Sequence, residues 1–104
     1  MSYARSETLT NMLTEAGLCE ADFVLDGAIR PLDEVVAEMG ELPTYIVLSY
    51  SPEDNGYFLD GCESKGAAGA LAGEFVSQRV GLVVAVYNLD SKRALAMNVI
   101  VNLI

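Results

Sequence analysis

Apolar residues along this chain recur at two spacings, one helical and one strand-like. Leu9, Met12, Leu13 and Ala16 fall at i, i+3, i+4 and i+7, the stripe of an amphipathic helix. Ser6 is placed to cap its start, and Glu7 suits the positive end of its dipole. Gly17 followed by Leu18 is a stop signal, a left-handed residue and then an apolar contact. Phe23-Val24-Leu25 and Ala28-Ile29-Arg30 flank Asp26-Gly27, the two-residue signal of a tight hairpin. Pro31 suits the first position of a second helix, with Asp33 and Glu34 in its first turn. Leu32, Val35, Val36 and Met39 repeat the helical stripe before Gly40 and Leu42 repeat the stop. The two helices match at an offset of 23 residues. Two copies of a generic template do not make a solenoid, which needs about three.

Pro43 closes this part. Thr44 to Ser51 is rich in β-branched and aromatic residues and predicts a strand. Ser51 to Gly56 is a turn carrying Asn-Gly, and Tyr57 to Asp60 is the returning strand. From Ser64 to Val80, the positions Ala68, Leu71, Ala72, Phe75 and Val76 define a third helical face. Gly66, Gly69 and Gly73 each cost that helix roughly 1 kcal/mol relative to alanine, which points to a close backbone approach. The row Gly66, Ala70, Gly73, Ser77 is the expected place for tight packing across a sheet. Leu82 to Tyr87 is apolar on both faces and predicts a central strand covered on both sides. After a turn at Asn88–Ser91, residues 93–104 predict a long final strand that makes the C-terminus structural. Leu95, Met97, Val99, Val101 and Leu103 form its apolar row, and Ala94, Ala96, Asn98, Ile100, Asn102 and Ile104 the other. The order α–ββ–α–ββ–α–ββ describes an α+β fold, one domain over residues 1–104 on a mostly antiparallel sheet.

Composition narrows the function. The 104 residues suffice for one core, and 52% hydrophobic content is too apolar for a disordered chain. Fifteen acids against six bases give −9, so no basic patch exists to neutralise phosphates and direct nucleic-acid binding is excluded. The absence of histidine removes the commonest general base and the commonest metal ligand. None of the acid clusters has calcium-loop spacing. No catalytic residue, metal or cofactor is therefore assigned. Cys19 and Cys62 are too few for a disulfide framework and imply reduced thiols in a cytoplasmic protein. Cys62 precedes a helix start beside Lys65, which favours a thiolate, but Asp60 and Glu63 oppose it. Ser64-Lys65-Gly66-Ala67-Ala68-Gly69 lacks the order of a phosphate-binding loop. The first residues lack the apolar core of a signal peptide. The uncharged stretch 94–104 is about half a membrane span of roughly 20 residues, so no membrane partner is expected.

Three functional readings remain. Residues 80–104 include 17 apolar side chains, more than one small core readily hides. The first reading is therefore a non-catalytic interaction module that forms a homo-oligomer, a dimer foremost, through Val99, Val101, Leu103 and Ile104. Charge supports the second. Residues 1–63 carry a balance of −11 and residues 64–104 a balance of +2. A face bearing Asp33, Glu34, Glu38, Glu41, Glu53 and Asp54 could mimic a phosphate backbone and occupy a basic protein partner, as small inhibitors from phages and other mobile elements do. The third is a small-molecule pocket on one sheet face. Alternation groups Val47 and Ser49 with Val83, Ala85 and Tyr87, and with Asn98, Ile100 and Asn102. Tyr87, Asn98 and Asn102 would then supply the polar contacts.

Overall fold

The computed structural model of the chain describes residues 2–78 and 82–95. Helix α1 spans Ser2–Glu15, so Ser6 lies inside the helix and does not cap it. The earlier start has a tertiary cause. Arg5 in the added turn donates from Nε and Nη2 to the two carboxylate oxygens of Asp90 at 3.1 and 3.2 Å, and from Nη1 to the Leu42 carbonyl at 2.9 Å. The C-terminal end follows the local signal. Gly17 adopts φ +81°, its N–H donates to Thr14, and the Leu18 N–H donates to Leu13. That pair of bonds is a Schellman stop, with Leu18 packed on the core as the motif requires.

Strands β1 (Phe23–Leu25) and β2 (Ala28–Arg30) pair across Asp26 and Gly27 at φ +51° and +79°, the left-handed pair of a type I′ turn. Helix α2 covers Leu32–Met39, with Pro31 as its extended N-cap, one place before the expected position, and Gly40 as its stop. Strands β3 (Tyr45–Ser51) and β4 (Gly56–Cys62) form a seven-residue antiparallel hairpin. Helix α3 covers Lys65–Gln78 and opens with Ser64 Oγ accepting the Ala67 N–H at 3.1 Å. Strands β5 (Leu82–Asn88) and β6 (Arg93–Leu95) follow. The expected strand over residues 96–104 lies outside the described residues.

The six strands among the described residues form one sheet in the order β2-β1-β4-β3-β5-β6. All pairs are antiparallel except β1 with β4, joined through Phe23 and Tyr57. Three helices on this mostly antiparallel sheet make a single α+β domain, with β5 between β3 and β6 as its apolar sequence predicts. Helices α1 and α2 bury Leu9, Leu13, Leu32, Val35 and Val36 against Phe23, Ile46, Leu48, Ala85 and Tyr87. Helix α3 lies on the opposite face, where Ala68 and Ala72 meet Val47, Cys62 and Val86.

Two expectations are corrected here. The expected row Gly66, Ala70, Gly73, Ser77 packs only at Gly73, and the side chain of Ser77 lies outside the described residues. Gly66 and Ala70 are exposed, while Ala68, Gly69, Ala72 and Gly73 are buried. The helix is rotated so that its smallest contiguous stripe, not an evenly spaced one, meets the sheet. The grouping of Val47 and Ser49 with Ala85 and Tyr87 also fails. Val47 pairs with Val86 and Ile46 with Tyr87, and antiparallel partners share a face. The register then shifts, so that Leu48 faces Ala85 but Ser49 faces Val83. A bulge of this kind flips the alternation, and period-two counting along one strand does not reveal it.

Candidate functional site

The β3–β4 hairpin sets one row of side chains on the α3 face. Tyr45, Val47, Ser49 and Ser51 pair with Cys62, Asp60, Phe58 and Gly56. Near α3 the row is apolar, and toward the hairpin turn it becomes polar and aromatic. The turn is fixed locally. Ser51 Oγ donates to Asp54 Oδ2 at 3.0 Å and accepts the Asp54 N–H at 3.3 Å. Asn55 takes φ +57°, and the Tyr50 hydroxyl donates to its Oδ1 at 3.0 Å. Gly56 cannot carry a side chain here, because a Cβ would stand 2.8 Å from Val24 Cγ2 and 3.3 Å from the Asp22 carbonyl oxygen.

This row opens into a cleft of ≈ 300 Å³ between the hairpin and α3. Ser49, Phe58 and Asp60 line it from the strands, Phe75 from the helix, and Glu53 and Asp54 from the turn. Burial raises the Asp60 carboxyl above its ordinary range, since charge is disfavoured where water is excluded. Among the described residues, no basic side chain pairs with Asp60. Ser49 is 4% exposed, and among the described residues no buried side-chain oxygen or nitrogen is left without a partner. Cys62 is buried, and its thiol is pushed up by burial and then by Asp60, the reverse of what a thiolate nucleophile needs.

The predicted site residues are dispersed. Asp33, Glu34, Glu38, Glu41, Glu53 and Asp54 are all exposed, but they do not form one patch. Glu34 and Glu38 line a groove with Asp26 and Arg30, and Asp33 and Glu41 line another with Ser6 and Thr10. Glu53 and Asp54 belong to the cleft beside α3, on the other side of the sheet. Tyr87 is 5% exposed and sits in the core under α1 and α2, where burial pushes its phenol up. Asn98, Asn102, Val99, Val101, Leu103 and Ile104 lie outside the described residues. Lys65 and Arg93 line a separate cleft with Tyr45 and Asn88 at the start of α3. Among the described residues, no three Cys, Asp or Glu side chains converge as metal ligands, and no helix is long and apolar enough to cross a membrane.

Sequence reasoning paired neither Ser49 with Phe58 nor Asp60 with Phe75. The first pair was within reach, because a hairpin turning at Asn55-Gly56 places Ser49 opposite Phe58. The second needed the position of α3. Neither a protein-family model, nor a curated protein, nor a solved structure matches the chain.

Proposed function

We propose that this protein is a non-catalytic, cytoplasmic protein-interaction module that pairs with a second copy of itself along the β6 side of its sheet. The observation that supports this is the position of β6, last in the order of the described strands and opening the uncharged stretch 94–104. An edge strand offers unpaired N–H and C=O groups, and an apolar sequence beside it gains by being covered. A twofold axis lets both copies satisfy that need at once, with Val99, Val101, Leu103 and Ile104 in the interface. Native mass spectrometry of the untagged protein at two concentrations tests it. Twice the 11.1 kDa chain mass is expected, with the monomer rising on dilution and in Val101→Lys. A monomer at both concentrations overturns the reading.

A second reading, contact with a basic protein, is favoured by the gathering of Glu53, Asp54 and Asp60 around one cleft. A small-molecule site at Tyr87, Asn98 and Asn102 has less support, because Tyr87 packs into the core.

A further inference from the structure

We infer that the cleft between the β3–β4 hairpin and α3 is a seat for the guanidinium group of an arginine side chain offered by a basic partner protein. The inference rests on the second reading above and adds the residues and the chemical group that would carry it. Phe58 and Phe75 line the cleft from its two sides, one on the sheet and one on the helix. Aromatic rings attract cations, and a planar guanidinium can also stack on them. Asp60 supplies the anion. Its carboxylate is partly buried in the cleft wall, no basic side chain pairs with it among the described residues, and a forked guanidinium supplies two charge-assisted hydrogen bonds. Ser49 adds a hydroxyl acceptor from the strand wall of the cleft. Glu53 and Asp54 stand at the rim, where exposed charge steers an incoming cation more than it holds one. Lysine fits less well, because a compact ammonium stacks poorly and binds as a single point.

The test is an NMR titration of the isotopically labelled full chain with a peptide holding one arginine among glycines and serines. Its citrulline counterpart and free arginine are titrated alongside. Saturable shifts centred on Ser49, Phe58, Asp60 and Phe75 are expected, with no response to citrulline and a weaker one to free arginine, whose carboxylate meets Glu53 and Asp54. Asp60→Asn weakens the peptide about tenfold or more, the scale of one lost hydrogen-bonded charge. Phe75→Leu weakens it too, and keeps the helix packed should Asp60→Asn fail to fold. Shifts spread equally over Asp33, Glu34, Glu38 and Glu41, and unchanged in Asp60→Asn, overturn the seat but leave a basic partner standing. No response even to an arginine-rich peptide overturns both. Free arginine binding more tightly than the peptide replaces the protein partner with a small molecule.

Discussion

Under α1 and α2 the sheet buries Phe23, Ile46, Leu48, Ala85 and Tyr87 against Leu9, Leu13, Leu32, Val35, Val36 and Leu42. Under α3 the buried apolar set is Val47, Cys62, Ala68, Ala72 and Val86, with the buried serines Ser49 and Ser51 farther along the same strand row. The first face is filled by large aliphatic side chains in continuous contact. The second is covered closely only where alanines and glycines let the helix approach, and beyond them it carries hydroxyls, a partly buried carboxylate and two phenylalanines around a cleft. Burial of apolar area is the main favourable term in folding, so the first face holds the domain together. The second gives up part of that gain for polar groups in a concave place, the usual make-up of a binding surface.

Adjacent residues of β3 test this division most sharply. Leu48 and Val47 are both fully buried but point to opposite faces. Leu48→Ala should cost about 2–5 kcal/mol in urea unfolding, because a cavity opens in a close-packed core. Val47→Ala should cost less, about 1.5–3 kcal/mol, since it removes a smaller side chain from a thinner layer. Equal losses would mean that both faces carry stability alike. A smaller effect is expected on the helix. Ala72→Leu forces extra methylenes between α3 and the sheet and should cost about 1–3 kcal/mol, whereas Ala70→Leu, on the exposed side, should stay within about 0.5 kcal/mol. If Ala70 proves the more sensitive, the packed stripe is the evenly spaced row after all.

Local signals were read correctly where the chain decides its conformation within a few residues. Asp26-Gly27, Gly17 with Leu18, Gly40 and Asn55-Gly56 all mark the turns and stops their φ angles and hydrogen bonds display. Features set by distant partners were not legible. The start of α1 depends on Asp90, the rotation of α3 on which stripe meets β3 and β5, and the pairing of Ser49 with Val83 on a bulge between β3 and β5. The site suffered most from this. Asp60 was visible only as one acid among fifteen, and nothing local says that it is drawn out of water while Glu53 stays in it. Tyr87 shows the converse, since a phenol in an apolar strand reads equally as a ligand contact or as core.

The smallest effect bears most directly on the second face. An acid whose pKa is raised by folding binds its proton more tightly in the folded state, so its ionised form weakens the fold. For Asp60 that penalty is absent below the ordinary value of 3.8, grows as pH rises through the folded pKa, and is complete above it. Asp60→Asn removes the charge and should raise the unfolding midpoint temperature slightly at neutral pH. The gain should shrink on acidification and vanish below 3.8. Circular dichroism melts of both proteins across that range measure it. A lower midpoint at neutral pH would show instead that the carboxylate is held by a favourable partner, and the two faces would then differ in residue size alone. A raised midpoint joined to lost peptide binding would show a group kept against the interest of stability, a trade-off that proteins accept where a ligand has to be met.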